Sequence, residues 1–458
     1  MESLNVKNFY DPLLAGLAGW SSLEFNQFTL LYAFVFEFVD KFVLDFRHYK
    51  TGRTKVMKMN VKKTLLAAVA VGALLAPVSA QADVKIGFLG GFTGPIESLM
   101  PPISNSAKLA ISQINAQGGT SQGKIDYVTA DTTCADSTKA ANAADRLVNT
   151  EKVVAIVGAQ CSGATISSAN NAAIPAGVTM VSPASTSPKL TDMKDSDLVF
   201  RTAPSDAFQG ASMARLLKAK GFKNIAITYV NNDYGKGFAA AVKTEFEKNG
   251  GKVAASEAHE DGKADYRAEI GSLSSHGAEI LVVLAYVDGS GQTIIRQALE
   301  GGDFEKFAGG DGIVGDKLIA GVGEGKLDGM VATRVGSPDL AGAKIFATAA
   351  KAAKIDPKAP FAAQSYDAAF LLAMAIEKNG SSERAGVNKA LRAVSSAPGE
   401  VILPGEWEKA KKLIAAGKDV NYEGASGSHE FDANGDVPGV IVEATVKGKG
   451  FVDIGPAK

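Results

Sequence analysis

The chain has 458 residues, with 48 Lys and Arg against 49 Asp and Glu and only two cysteines. That length is enough for two domains with real cores. Balanced charge, with no basic stripe carrying interleaved aromatics, argues against nucleic acid or an anionic membrane as partner, and two cysteines are too few for a metal site of their own.

Residues 1–58 hold 8 of the 22 phenylalanines, in runs such as Phe34-Val35-Phe36-Glu37-Phe38, and look unlike the Ala-, Gly- and Lys-rich remainder. Glu37, Asp40, Lys41 and Asp45 interrupt the most apolar part, and charges at that density make a membrane span expensive. We read this segment as translated upstream DNA, with the true start at Met57 or Met59. The alternative is a cytoplasmic or membrane-associated extension that turns the next segment into an internal anchor.

Residues 59–82, MNVKKTLLAAVAVGALLAPVSAQA, have the three parts of a bacterial export signal. Lys62 and Lys63 are the basic region, residues 64–76 the apolar region, and Ala80-Gln81-Ala82 the cleavage site. The apolar run is too short to span a bilayer, and Pro77 ends it where a peptidase requires. The expectation is a periplasmic protein beginning at Asp83, with 376 residues and a mildly acidic balance of 39 basic to 43 acidic side chains. In that oxidising compartment Cys134 and Cys161 are read as a structural disulfide.

From Asp83 onward, strands at 85–89, 125–130, 153–157 and 178–181 alternate with helices at 104–117, 137–150 and 163–176. After residues 200–204, where Pro204 suits a crossover, the alternation restarts. Helices at 207–220, 237–249, 265–275 and 290–300 then separate strands at 224–230, 253–259, 280–284 and 304–308. Repeated βαβ units imply parallel sheets covered on both faces, hence an α/β chain with two doubly wound lobes. A second crossover near 330–334 and helices at 342–354, 362–378 and 383–394 follow, with Asn434-Gly435 a hairpin signal. Residues 83–203 with 333–436 form one lobe and 204–332 with 437–458 the other, joined by a multi-pass hinge. Open α/β sheets bind ligands beyond the carboxyl ends of their strands, so loops from both lobes should face the cleft.

Three such loops in the first lobe are rich in glycine and hydroxyl residues: Gly90 to Pro95, Gln160 to Thr165 and Ser182 to Pro188. Their backbone N–H groups can point at a ligand, the second opens a helix whose dipole favours an anion, and Ser162 and Thr186 add hydroxyl donors. Together they predict a pocket for a small carboxylate.

At this point the chain resembles the leucine/isoleucine/valine-type periplasmic amino-acid-binding proteins of ABC importers, which have the type I periplasmic-binding fold. The resemblance covers essentially all of 83–458. It rests on residues 84–95 (VKIGFLGGFTGP), the spacing of Cys134 and Cys161, Cys161-Ser162, residues 182–191 (SPASTSPKLT) and residues 232–237 (NDYGKG). Residues 295–298 (IRQA) and 431–436 add to it. It implies that Ser162, Thr186 and the backbone N–H groups of Ala184 and Thr186 hold the ligand's α-carboxylate. The Ala184 carbonyl and Thr186 hydroxyl would accept from its ammonium. It further implies that Tyr234 closes over the ligand, that Tyr286 lines the site, and that Asp311 stands where the family has a glutamate paired with the ammonium. Donors on one side and an acid on the other suit a zwitterion.

Two departures affect ligand choice. Leu99, beside Met100, replaces the family's usual aromatic, and Asp311 is one methylene shorter than glutamate. Small or polar amino acids, γ-amino acids, amides and carboxylates without an amine all stay open, and Asp311 has the alternative role of a turn residue after Gly309-Gly310. Catalysis by Ser162 is disfavoured because the mature chain has only His259, His276 and His429 and no G-x-S-x-G. Asp432, Asn434, Asp436 and Glu443 fit a calcium loop poorly, since Val437 occupies the glycine position. Residues 407–412 (WEKAKK) read as a solvated amphipathic helix. The expected function is a monomeric, cofactor-free binding protein, not an enzyme. It captures a small amino acid or related carboxylate by hinge closure and delivers it to a membrane ABC permease. The alternative is a periplasmic sensing subunit for a chemoreceptor or sensor kinase.

Overall fold

Short runs rich in β-branched residues build two separate sheets. The computed structural model describes residues 84–457, so the expected signal and the extension before it lie outside the described residues. In the first sheet β1 (Val84–Gly90), β2 (Ile125–Asp131), β3 (Ala155–Gly158), β4 (Thr179–Ser182) and β5 (Val199–Arg201) run in the order β2-β1-β3-β4-β5, every pair parallel. β3 and β4 are buried along their whole length because helices cover both faces, which is why they lack polar alternation.

The second sheet has the order β14-β13-β10-β9-β8-β6-β7. Its parallel part is β6 (Asn224–Val230), β7 (Lys252–His259), β8 (Ile280–Leu284), β9 (Phe307–Gly309) and β10 (Val331–Gly336). β13 (Val440–Lys447) pairs antiparallel with β10 and turns through Gly448 into β14 (Gly450–Pro456). The expected lobe boundary at 332/333 passes through β10, all six residues of which pair with β13. The run at 330–334 stays in the sheet, and Arg334 makes a two-pronged ion pair with Asp453 on β14. The second crossing therefore comes after Gly336.

Helices α1 (Met100–Ala116), α2 (Ser137–Asp145), α3 (Ser162–Ser168), α4 (Asp206–Ala219), α5 (Asp233–Lys248), α6 (Arg267–Ser274), α7 (Ser290–Gly301) and α8 (Asp316–Val322) follow the expected alternation. Side chains set their starts. Asp136 accepts from the N–H groups of Thr138 and Lys139, Ser205 from Ala207 and Asn232 from Gly235. The Asn232 cap begins α5 four residues ahead of the predicted start and places Tyr234 in its first turn. α2 and α3 are shorter than predicted because each passes into a wide turn, Arg146–Thr150 and Ala169–Ala173.

After the second crossing come α9 (Ala341–Ala352), α10 (Ala362–Asn379), α11 (Val387–Ser395) and α12 (Trp407–Ala415). α10 is buried through Glu377, and the carboxylate of Asp367 at its middle accepts from Tyr422 Oη, Ala425 N, and both N and Oγ of Ser426. Four donors make a buried charge tolerable there. Helix α12 is not simply solvated. Trp407 is fully buried and its Nε1 donates to the Gly119 carbonyl at 3.0 Å. Two strands that pattern reading missed, β11 (Glu400–Ile402) and β12 (Val420–Tyr422), form a small parallel pair.

Asn434-Gly435 is a turn, as its residues require, but no strands flank it. Asp432 accepts from the N–H groups of Asn434 and Asp436, and the Gly435 carbonyl accepts from Arg201 N. Gly435 has φ +75°, and a Cβ there would lie 2.5 Å from the Val199 carbonyl oxygen, so the turn docks on the end of β5. Arg201, 1% exposed, completes that junction. Its guanidinium donates to both Asp436 oxygens at 2.6 and 2.7 Å, to Thr191 Oγ1, and to the carbonyls of Ser185 and Ser187. The turn at Asp436 is thereby tied to the Ser182–Ser187 loop.

Candidate functional site

The three glycine- and hydroxyl-rich loops contribute differently. In the first, the N–H groups of Phe92 and Thr93 and the Thr93 hydroxyl donate to Asp131. Those donors are consumed within the lobe, and the segment offers Ile96 and Leu99 to the cleft instead. In the second, Ser162 opens α3, and its Oγ accepts from Ser187 N at 3.1 Å, which leaves the hydroxyl proton free to donate. In the third, Ser182 Oγ donates to the Ala159 carbonyl and accepts from Ser185 N, holding Ala184 at the loop's apex.

From the second lobe, Tyr234, Tyr286 after β8 and Asp311 after β9 converge on the same place. The Tyr234 hydroxyl donates to Asp311 Oδ1 at 3.1 Å and accepts from Gly312 N at 3.3 Å. The Tyr234 and Tyr286 rings stack with centroids 5.1 Å apart. A Cβ on Gly312 would lie 2.6 Å from the Ala285 carbonyl and 2.9 Å from the Tyr234 hydroxyl, so this approach needs glycine. Asp311 does begin a short 3-10 turn, yet its side chain points inward, with Oδ2 buried and unpartnered.

These elements enclose a small cavity, about 30 Å³, between the lobes. Ser162, Ala184, Tyr234, Tyr286 and Asp311 line it, so five of the six predicted residues come together. Thr186 is buried beside them but is not on the lining; its carbonyl accepts from Asp206 N at 2.7 Å. Leu99 lines the cavity as expected, whereas its neighbour Met100 packs into the first lobe's core. The lobes also meet outside the cavity. Ser98 donates twice to Asp288 at 2.7 Å, Ser187 Oγ donates to the Asp233 carbonyl, and Lys189 pairs with the Asp233 carboxylate.

Asp206 is the residue that pattern reading missed. In sequence it is merely an acid in the first turn of a helix after a serine cap, a common helix-end arrangement. In the fold it is fully buried, close to the Thr186 hydroxyl and the Asp311 carboxylate. Burial and the neighbouring Asp311 charge push its carboxyl well above the ordinary range, offset in part by the Thr186 hydroxyl and Arg201. Burial raises Asp311 to about 6, against the Tyr234 hydroxyl, Gly312 N–H and Gln209 amide. Burial and those two acids also hold the Tyr234 phenol neutral. The two acids are thus buried neighbours, and no Lys or Arg is among the residues that line the cavity.

Cys134 and Cys161 are bonded to each other, with Cα atoms 5.5 Å apart, and Cys161 lies on the cavity wall next to Ser162. The bridge closes a span of 27 residues, for which chain entropy gives about 3.5 kcal/mol. The double variant Cys134→Ser/Cys161→Ser is therefore expected to lose about that much stability in a denaturant titration, with ligand preference unchanged. A changed order of ligand affinities is the contrary result.

Among the described residues no group of three or more His, Cys, Asp or Glu is arranged to hold a metal ion, and no helix is long and apolar enough to cross a membrane. The family model for the receptor family ligand binding region matches residues 103–443. The leucine-, isoleucine-, valine-, threonine- and alanine-binding protein of Pseudomonas aeruginosa is 32% identical over 332 residues, 72% of this chain and 87% of its own. This chain belongs to the leucine/isoleucine/valine-binding protein family. Among solved members, the substrate-binding protein LivJ of Streptococcus pneumoniae in complex with isoleucine superposes with a TM-score of 0.67 at 26% identity, covering 82% of this chain and 100% of its own. The leucine-binding LivK of Thermotoga maritima gives 0.68 at 27% identity over 81% of this chain and 98% of its own. Leucine/isoleucine/valine-binding proteins bind substrates without transforming them, and this chain is likewise a binding protein and not an enzyme.

Proposed function

We propose that this protein is exported to the periplasm, captures a small α-amino acid between its lobes and delivers it to an ABC permease. One observation carries the reading. The cavity has the Ser162 hydroxyl as a donor on one lobe, beside the Ala184 backbone, and on its other side the buried acid Asp311, whose Oδ2 is unpartnered. A carboxylate at the first end and an ammonium at the second satisfy both, and hydrogen bonds to charged groups are the strong ones. The Tyr234–Tyr286 stack covers the ligand, and the contacts of Ser98 with Asp288 and of Lys189 with Asp233 hold the lobes together over it. Export rests on the three-part signal at 59–82, and the permease as recipient follows from the family's role in import.

A screen by thermal denaturation tests the capture. A bound amino acid at 100 times its Kd adds about 2.7 kcal/mol of stability by mass action, and small-angle scattering should show a smaller radius of gyration at saturation. An unchanged profile with bound ligand would count against hinge closure.

Acidity should couple to binding. Folding raises Asp311 from its ordinary 3.8 to about 6. This group therefore contributes stability to the unliganded fold that is fully present below pH 3.8 and is lost as pH rises through 6. An ammonium needs the carboxylate, so the dependence of affinity has the opposite sign. For this group amino-acid affinity is expected to be level above about pH 7 and to fall by up to about tenfold per unit below 6, with uptake of the ligand releasing a proton only from the protonated fraction, up to one per site at low pH. Calorimetry at pH 5.5 in buffers of different ionisation enthalpy measures that proton directly.

A further inference from the structure

The cavity carries a polar group that neither end of an amino acid accounts for. Gln160 is 3% exposed and lines the cavity, and both Nε2 and Oε1 of its amide are buried without a partner. Its backbone is pinned on both sides. The Ala159 carbonyl before it accepts from Ser182 Oγ at 2.5 Å, and Cys161 after it is held by the disulfide. The amide is therefore anchored at the wall, among the apolar side chains of Ile96, Leu99, Ile103 and Phe361.

An amide with both halves unmet in a buried site is costly, and a ligand relieves the whole cost when it offers a donor and an acceptor together. An aliphatic side chain offers neither. A side-chain carboxylate would meet Nε2 alone and add a third acid near Asp206 and Asp311, and a side-chain ammonium would leave Nε2 unpaired. A hydroxyl or a carboxamide meets both atoms, and the four apolar residues accept its short carbon stem. Building on the amino-acid reading of this pocket, we infer that Gln160 determines specificity by pairing with a hydroxyl or carboxamide on the ligand's side chain. The substrate class is then the uncharged polar α-amino acids and not the branched aliphatic ones.

Two isosteric pairs test this in calorimetric titrations of the exported protein purified free of ligand: threonine against valine, and asparagine against leucine. In at least one pair the polar member should bind roughly 10- to 100-fold more tightly, because the other leaves a buried amide unpaired. Gln160→Leu should reduce that ratio to within about threefold or invert it, and should raise the melting temperature of the unliganded protein by removing the unmet amide. Gln160→Met, unbranched like glutamine, serves if leucine disturbs folding, and the wild-type comparison needs no variant. Valine and leucine binding as tightly as their polar partners would overturn the inference while leaving the amino-acid reading intact. A uniform loss for all four ligands in Gln160→Leu would overturn it too, since the amide would then serve the α-carboxylate. If no α-amino acid binds at all, the amino-acid reading itself fails and this inference falls with it.

Discussion

Asp311→Asn is expected to weaken an α-amino acid by roughly 10- to 150-fold, the equivalent of losing one hydrogen bond to a charged group. A matching carboxylate without the amine should bind nearly as before, because it never used the acid. Asp206→Asn should have a smaller effect in the same direction, since Asp206 is not on the cavity lining and acts through the neighbouring Asp311 charge. The two effects should not add, because the groups are electrostatic neighbours and the Asp311 charge raises the proton affinity of Asp206. The unliganded variants should be more stable than the parent at pH 7, since each replaces a buried acid that folding holds at a cost with a neutral isostere. Titration of both ligand types into both variants, with melting curves in parallel, checks these expectations. Equal tolerance of Asp311→Asn by every ligand would mean that the residue only forms its turn and that the pocket recognises the carboxylate alone.

Arg201→Met should be the most damaging single change to the fold outside the apolar core. Its guanidinium holds Asp436, Thr191 and the carbonyls of Ser185 and Ser187. Breaking a buried pair by removing one partner costs about 3–5 kcal/mol, and the lower end applies because the Asp436 side chain keeps 15% exposure. Affinity should fall with stability, since the Ser182–Ser187 loop loses its anchor. Arg201→Met combined with Asp436→Leu should recover part of the lost stability, because no lone charge then remains. Denaturant titration of the single and double variants measures both. A loss under about 1 kcal/mol in the single variant, the range of an exposed ion pair, would show the junction to be dispensable.

Strand alternation was a local feature, legible in the sequence because each run depends on neighbours a few residues away, whereas the Asn232 cap and the second crossing after Gly336 were not read. β6 and β8 lie where their apolar runs placed them, and the α/β class with two lobes followed from the repeated βαβ units. The bond between Cys134 and Cys161 was legible by counting. Elsewhere a local signal was sound and its partner was wrong. Asn434-Gly435 makes a turn, but the turn docks on β5 instead of closing a hairpin, and Trp407 begins an amphipathic helix with its own ring fully buried.

For the site, sequence by itself determined which residue types stand at the carboxyl ends of the strands: hydroxyls at Ser162 and Thr186, rings at Tyr234 and Tyr286, an acid at Asp311. Only the tertiary structure decided which of their atoms are already engaged. It turned the first loop's donors onto Asp131, left Thr186 off the lining, buried Asp206 beside Asp311, and brought Gln160 to the cleft with its amide unmet. The reason is physical. A side chain's type is written in the sequence, but its burial, the charge beside it and the partner of each polar atom depend on segments tens to hundreds of residues away.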